Sequence, residues 1–223
     1  MRIFYIAKFS DIHSEKWVRF FENEHEVYRY NVDGFKISHI WKARKAIKCF
    51  KPDIVHAHYM GVNGLIAALS GFHPFIGTVH GSEVLLTTGI RKRLVRWVLS
   101  KADLITTDGY HVERKMQREM GGPLKKIQHV NFGVDCEKFK PRQSIFIPMV
   151  IMYRVGSNAI YDTETVKKCR EVISDKNIVW QPIKKFTEKL LIYFLQCSTL
   201  YVSTAISNAG LSSTTASNTR ILN

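Results

Sequence analysis

Short apolar segments alternate with segments of helical periodicity along most of the chain, and this alternation constrains the fold more than any other feature of the sequence. Six strand candidates lie at residues 2–7, 25–32, 53–59, 74–81, 103–109 and 126–135. Five helix candidates separate them, at residues 14–24, 38–50, 64–71, 89–102 and 110–120. Strands that alternate with helices form right-handed βαβ units, whose parallel sheet is covered by helices on both faces. The sequence therefore predicts a doubly wound α/β domain over residues 1–141.

A second, shorter series of the same kind follows Lys140-Pro141-Arg142, which we interpret as a linker. Its strand candidates are residues 145–154, 177–182 and 199–204, and its helix candidates are residues 161–173 and 186–197. Residues 205–223 are rich in Ser, Thr and Asn without periodicity, so we expect this tail to be poorly ordered. The sequence thus predicts a second, incomplete Rossmann-like domain over residues 142–223.

Open parallel sheets bind ligands beyond the carboxyl ends of their strands, so the residues at those ends are the candidates for function. These segments are Ser10–His13, His58–Gly61, His80–Glu83, Thr107–Tyr110 and Asn131–Asp135. His80 stands out because Gly81 and Ser82 follow it and would let the backbone approach a ligand closely. A structural hydrogen-bonding role is the alternative for a histidine at the end of a strand.

Three further histidines have alternative interpretations that the residues leave open. His56 and His58 are two apart on a strand, so they face the same side and could suit a metal. No third ligand is apparent in the sequence, which favours a role in the core or in supporting a loop. His13, in the first loop, is either an acceptor-side residue or a residue that begins a helix.

The chain is basic throughout, with 33 Lys and Arg against 19 Asp and Glu and a formal net charge of +14. This charge predicts either an anionic partner or general solubility. Nucleic acid is not the expected partner, because the sequence has no helix-turn-helix, zinc or RNP-like pattern. The four cysteines form no C-x-x-C pair, so neither a zinc site nor a redox motif is expected. A reduced, cytoplasmic setting fits best, since no apolar stretch predicts a membrane span or a signal peptide.

The helix candidate at residues 89–102 has two arcs. One arc is basic and carries Arg91, Lys92, Arg93 and Arg96. The other arc is apolar and carries Ile90, Leu94, Trp97 and Val98, which we expect to pack on the domain. Contact of the basic arc with an anionic membrane surface is a hypothesis, which sedimentation with anionic liposomes after neutralising Arg91, Arg93 and Arg96 tests.

Three ordered runs in the first domain resemble a known family. They read DIVHAHYMGVNGLIAALSGFHPFIGTVHGSEVL, then SKADLITTDGYHVERKM, then KIQHVNFGVDCEKFKP. They are similar to the amino-terminal domain of glycosyltransferase family 4 enzymes, which have the GT-B fold of two Rossmann-like domains. The run IMYRVGSNAIYDTETV resembles the start of that family's carboxyl-terminal domain more weakly. The resemblance implies a GT-B-like α/β fold with a complete first domain and a shortened second one.

This resemblance also implies a function. A family member moves a sugar from a nucleotide sugar, which is a substrate rather than a cofactor, to a glycan or lipid-linked acceptor. The reaction would be retaining and independent of metal, and would take place in the cytoplasm or at the inner face of the cell membrane. The residues that match the family are His80, which would lie at the transferred sugar, and Arg154, which would contact the donor diphosphate. We further assign Gly81 and Ser82 to the donor cleft, and His13 and His58 to the acceptor side.

The chain departs from the family pattern in its second domain. Tyr161 stands where the family has a lysine that accompanies Arg154, and Ser217 stands where the first of two paired glutamates is expected. A strand and a helix are also missing between residues 174 and 177. These departures keep a second hypothesis open, in which the chain is a catalytically inactive degenerate or split-gene fragment that acts as a binding or partner module.

Overall fold

The computed structural model describes residues 1–120, 126–131, 133, 137, 149–154, 163–173, 178–183 and 200–202. The chain divides into two compact units, Met1–Asn131 and Phe132–Asn223. The domain boundary that the sequence predicts at residues 141 and 142 lies outside the described residues and stays a prediction. The predicted helix at residues 186–197 and the tail at residues 205–223 also lie outside them.

The first unit alternates strands and helices, as the sequence predicts. Its strands are β1 (Arg2–Ala7), β2 (Glu26–Asn31), β3 (Ile54–His58), β4 (Phe75–Val79), β5 (Leu104–Thr107) and β6 (Ile127–His129). Its helices are α1 (Ile12–Glu22), α2 (Ile37–Phe50), α3 (Val62–Ser70), α4 (Ser82–Leu85), α5 (Gly89–Lys101) and α6 (Tyr110–Lys115), which continues as a π-helical turn over Met116–Met120. The short α4 is the one helix of this unit that the sequence did not predict among the described residues, and the other boundaries differ from the predicted ones by a few residues.

The six strands form one parallel sheet in the order β2-β1-β3-β4-β5-β6. The chain leaves β1 toward one edge to form β2, and then returns past β1 to form β3 on its other side. The order of the strands therefore reverses between β1 and β3. Loops that leave a sheet in opposite directions at such a point leave a crevice beyond the carboxyl ends of the strands. The loops after β1, β3 and β4 border this crevice.

Alternate residues of β1 build the core on both faces of the sheet. Phe4 and Ile6 are buried in the larger cluster, together with buried residues of α2, α3 and α5. Tyr5 lies on the other face, where Trp17 and Phe21 of α1 pack against it and its neighbours. Because side chains alternate along a strand, the five buried residues of β1 serve both layers.

Helix α5 corrects one expectation about packing. Its buried residues are Val95, Val98 and Leu99, so packing is confirmed for Val98 of the predicted apolar arc, whereas Ile90, Leu94 and Trp97 are exposed. Both sets have helical spacing, so the pattern alone does not decide which one packs. The contact of α5 with α3 buries the first set and leaves the predicted apolar arc largely in solvent.

The second unit contains a small parallel sheet in the order β8-β7-β9. Its described elements are β7 (Met149–Arg154), α7 (Thr163–Val172), β8 (Ile178–Ile183) and β9 (Leu200–Val202). Ile151 and Tyr153 of the central strand are buried, as is Val166 of α7. The predicted strands and the first predicted helix of this unit are thus confirmed within the described residues. No helix in the described part of the chain is long and apolar enough to cross a bilayer.

Candidate active site

His80 lies directly beyond the carboxyl end of β4 and is 8% exposed. Gly81 follows with a φ of +110°, a backbone conformation that side-chain-bearing residues rarely adopt. Ser82 then begins α4. The glycine allows the chain to turn sharply from the strand into the helix, and this turn keeps the His80 ring at the edge of the sheet, facing the crevice.

A second imidazole contacts His80 from the interior. The Nε2 atoms of His80 and His58 lie 2.7 Å apart, so one ring donates a hydrogen bond and the other accepts it. His58 is the last residue of β3 and is fully buried. Burial lowers the pKa of His58 well below its usual value, and it lowers the pKa of His80 to about 4. Both rings are therefore neutral at pH 7.

His13 is the third imidazole of this group. It lies in the first turn of α1, which Asp11 caps by accepting a hydrogen bond of 3.1 Å from the backbone N–H of Ser14. The His13 ring meets the His80 ring edge-on, with 5.8 Å between ring centroids. The structure thus brings the three predicted histidines together, with His58 innermost, His80 in the middle and His13 half-buried.

His56 belongs to a separate, buried hydrogen-bonded chain. Its Nε2 lies 2.8 Å from Oγ1 of Thr78, which lies 2.8 Å from Oγ1 of Thr106. This chain links β3, β4 and β5, and burial lowers the pKa of His56 to about 3. Of the two readings that the sequence left open, the geometry supports the role in the core. Among the residues that the structure describes, no three His, Cys, Asp or Glu side chains are grouped closely enough to hold a metal ion.

Glu83 is a site residue that the sequence analysis did not single out. Its side chain is buried, and its Oε1 accepts hydrogen bonds from the backbone N–H of His80 at 2.9 Å and of Met60 at 3.2 Å. One carboxylate oxygen therefore joins the loop after β3 to the loop after β4. Burial raises the pKa of Glu83, and nearby backbone N–H groups act in the opposite direction. A glutamate three residues after a histidine, at the start of a helix, is the signal that could have identified it.

Tyr59 is a second site residue, which lies in the candidate segment His58–Gly61 but was not singled out within it. It follows His58 with a φ of +76°, and its hydroxyl lies 3.2 Å from Oγ of Ser82. Its ring centroid is 5.9 Å from that of His80. The loops after β3 and β4 are thus joined at three depths, by Glu83, by the pair of His58 and His80, and by the hydroxyl groups of Tyr59 and Ser82.

Arg154 is the last residue of β7, so its predicted position at the end of a strand is confirmed. Its side chain and the loop at residues 155–162 lie outside the described residues. The contact with a diphosphate that the resemblance implies for Arg154 therefore stays a prediction, as do the roles implied for Tyr161 and Ser217.

Comparison with known proteins identifies one sequence family. The family model described as Glycosyltransferase Family 4 matches residues 12–138. This range contains all three clustered histidines, Tyr59 and Glu83. No curated protein sequence matches the chain significantly.

Several solved structures have the same fold at low sequence identity. The apo form of the lipopolysaccharide outer core galactosyltransferase WaaB matches with a TM-score of 0.59 and 13% identity, over 92% of this chain and 74% of its own. HepE from Anabaena in complex with UDP matches with a TM-score of 0.60 and 11% identity, over 93% of this chain and 75% of its own. The UDP-GlcNAc 2-epimerase from Neisseria meningitidis bound to UDP-GlcNAc matches with a TM-score of 0.55 and 12% identity, over 91% and 77%.

These likenesses establish a GT-B-like fold, consisting of a doubly wound parallel-sheet unit and a second Rossmann-like unit. The chain spans about three quarters of the length of each neighbour, so it is shorter than they are, as the sequence predicts. The same fold carries both sugar transfer and epimerisation among these neighbours. The fold alone therefore does not assign the chemistry, and the site must do so.

Proposed function

Because the chain belongs to glycosyltransferase family 4, we propose that it transfers a sugar from a nucleotide-sugar donor to a glycan or lipid-linked acceptor. The observation that carries this proposal is the buried, neutral His80, which is hydrogen-bonded to His58 beside the crevice of the first unit. A nucleotide-sugar donor is further supported by the neighbour HepE, which has been solved with UDP and with UDP-glucose.

The reaction breaks the bond between the anomeric carbon and the diphosphate oxygen, and it forms a bond from that carbon to an acceptor hydroxyl oxygen. The proton of the acceptor hydroxyl passes to the departing diphosphate, so charge and atoms balance. We propose that the configuration at the anomeric carbon is retained. Positive charge develops on the sugar in such a step, so a cationic group beside it would oppose the reaction. A neutral imidazole at His80 can hydrogen-bond to a sugar hydroxyl without that penalty.

The departing diphosphate needs positive charge, and Arg154 is the proposed source. A guanidinium binds phosphate oxygens in a bidentate manner and is always charged, so it can stabilise the leaving group without a metal ion. Gly81 and Ser82 would shape the donor cleft, since neither a Cβ at position 81 nor a bulky side chain at position 82 obstructs it. His13, the more exposed member of the histidine cluster, is the proposed acceptor-side residue, while His58 would act through its hydrogen bond to His80.

The direct test measures release of nucleoside diphosphate by the purified chain. UDP-glucose, UDP-galactose, UDP-N-acetylglucosamine and GDP-mannose are supplied in turn, with a chelator in a parallel series. We expect turnover that survives the chelator and falls by about 100-fold or more in His80→Ala. The matched control is His73→Ala, which removes an exposed histidine that pairs with Asp103, and which should keep the wild-type rate.

One sequence observation favours the second candidate, an inactive binding module. Ser217 replaces the first of the paired glutamates that the family uses to hold the donor. If this loss abolishes chemistry but spares binding, calorimetry will detect a nucleotide sugar bound to a chain that releases no diphosphate. Release that depends on His80 would exclude this candidate. Failure to bind or turn over any donor of the panel would refute the proposed transfer.

We further propose that the layer formed by α2, α3 and α5 contacts an anionic membrane surface. Helix α3 packs against both α2 and α5, so the three helices lie side by side. Residues 36–51 contain six Lys or Arg and no Asp or Glu, and residues 89–101 contain five and none. Helix α3 carries no charge. Of the α5 cations, Lys92 is ion-paired with Glu119, and on α1 and β2 Arg19 and Arg29 are likewise ion-paired with glutamates.

Exposed apolar side chains accompany these cations. Ile37 and Trp41 of α2 and Ile90, Leu94 and Trp97 of α5 are all exposed. A cation lies over each tryptophan, with the Arg44 guanidinium 5.4 Å from the Trp41 ring and Nζ of Lys101 5.7 Å from the Trp97 ring. Basic residues combined with exposed Trp, Ile and Leu are typical of helices that lie in the membrane interface. A peripheral position on the cytoplasmic face of a membrane, near a lipid-linked acceptor, follows from this proposal.

A further inference from the structure

The backbone of Tyr59 adopts a conformation that its place in the fold does not require. Its φ of +76° lies in the left-handed region, where a bulky residue is strained. Lys51 is the only other non-glycine residue with a positive φ among the described residues, and it ends helix α2, where left-handed residues are common. Tyr59 instead lies between β3 and α3, so no helix end explains its conformation.

Two neighbours are fitted to the Tyr59 ring. A Cβ atom at position 61 would lie 2.9 Å from Cε1 of Tyr59, so only glycine at position 61 admits the ring in this position. On the other side, the Tyr59 hydroxyl is hydrogen-bonded to Ser82. A strained backbone, a glycine and a serine hydroxyl therefore act together to hold one phenol ring beside His80.

Packing does not account for this arrangement. Tyr59 is 39% exposed, although the adjacent His58 is fully buried and His80 nearly so. A strained residue at a site usually persists because the surrounding structure holds it there for function, and a residue needed only for the core would be buried. The exposed ring and hydroxyl thus form part of the outer wall of the His80 site.

From this geometry we infer that Tyr59 is a substrate-contact residue that binds the pyranose ring lying against His80. The inference rests on the proposed sugar transfer, because it assigns the ligand of the same site. The face of a phenol can cover the apolar C–H face of a pyranose, and its hydroxyl can exchange the bond with Ser82 for a bond to a sugar hydroxyl. A tyrosine held in one orientation loses little conformational entropy when it binds.

The test uses the full chain and four methyl pyranosides, those of glucose, galactose, mannose and N-acetylglucosamine, at millimolar concentration. Saturation-transfer NMR measures sugar binding, and thermal unfolding measures stability. Tyr59→Asn suits the left-handed backbone, so we expect an unfolding temperature equal to the wild type or higher by about 2–4 °C. We expect sugar binding to weaken at least 10-fold in this variant and less in Tyr59→Phe. Tyr28→Phe is the control, because Tyr28 has the same 39% exposure but lies in β2.

A structural role alone predicts a different result. If Tyr59 only braces the two loops, Tyr59→Asn will unfold at a lower temperature and will bind pyranosides as the wild type does, which overturns the inference. The inference is also overturned if the wild type shows saturation transfer to none of the four pyranosides. Turnover of nucleotide sugars is measured separately. Sugar binding that depends on Tyr59, without any turnover, would contradict the proposed transfer while leaving the assignment of Tyr59 in place.

Discussion

The Nε2 atom of His58 lies 2.7 Å from the Nε2 atom of His80, so the two rings share one proton at their contact. A charge on either ring would face the other ring in a buried setting. Burial is the main cause that lowers both pKa values, and nearby histidines lower them further. The pair therefore presents a neutral hydrogen-bonding group to the crevice at neutral pH.

Because the pKa values of this pair are lowered, we expect the free energy of unfolding to decrease as the pH falls from about 6.5 toward 4. The unfolded chain takes up protons on its histidines near pH 6.5, whereas the folded chain does not protonate His80 until about pH 4. Each such histidine contributes a slope of up to about 1.4 kcal/mol per pH unit in this window. Urea unfolding at pH 7, 6 and 5 measures the slope, which should be smaller in His80→Asn. Equal slopes in the variant and the wild type would contradict the lowered pKa.

Glu83→Ala should destabilise the first unit, because it leaves the backbone N–H groups of Met60 and His80 without their acceptor. The loss of two buried hydrogen bonds is expected to cost about 2 kcal/mol or more of the free energy of unfolding. Glu83→Gln keeps an acceptor oxygen and should cost less. Glu24→Ala, at an exposed glutamate in the turn before β2, is the control and should change stability by less than about 0.5 kcal/mol.

The order of destabilisation among these variants is the decisive feature. If Glu83→Ala is no more destabilising than Glu24→Ala, the carboxylate does not join the two loops in solution. If Glu83→Gln is as damaging as Glu83→Ala, the negative charge rather than the acceptor oxygen is required. In the first case, the position of His80 would have to be maintained by other contacts.

Much of the fold could be predicted from the sequence because a parallel sheet buried on both faces needs continuous apolar strands. The strand at residues 2–7 is the clearest example, since five of its six residues are buried. The packed face of α5 could not be predicted in the same way. Val95, Val98 and Leu99 have the same spacing as the exposed apolar residues of that helix, and the position of α3 decides between the two sets.

The clustering of His13, His58 and His80 could be anticipated because the carboxyl ends of parallel strands meet at one edge of the sheet. Tyr59 and Glu83 lie in two of the candidate segments, but they could not be singled out because their roles depend on contacts between two loops that are more than twenty residues apart in sequence. Tyrosine rarely adopts a left-handed φ, so no sequence pattern predicts this backbone conformation at Tyr59. The hydrogen bonds of Glu83 follow from the turn at Gly81, which only the structure displays.

Arg154→Ala should weaken binding of UDP about 10-fold or more, because a guanidinium–phosphate contact contributes about 1.4 kcal/mol or more. Calorimetry at low and high salt measures the change, and the difference between wild type and variant should shrink as salt increases. Arg170→Ala removes an exposed arginine from the last turn of α7 and serves as the matched control. The same dissociation constant for both variants would place the diphosphate elsewhere.

Membrane contact predicts that the chain sediments with anionic vesicles and that the cations of α5 are needed for it. Replacing Arg91, Arg93 and Arg96 by Gln should reduce binding to phosphatidylserine vesicles, since each basic residue near an anionic surface contributes about 1 kcal/mol. The control replaces Lys8, Arg19 and Arg114 by Gln, which changes the net charge equally but lies on other elements. If the α5 variant sediments with the vesicles as the wild type does, the proposal that this surface binds the membrane is wrong. The double variant Ile90→Ser with Leu94→Ser separates the apolar contribution to membrane binding from the electrostatic one, because it keeps every cation. We expect it to weaken the part of the binding that persists at high salt.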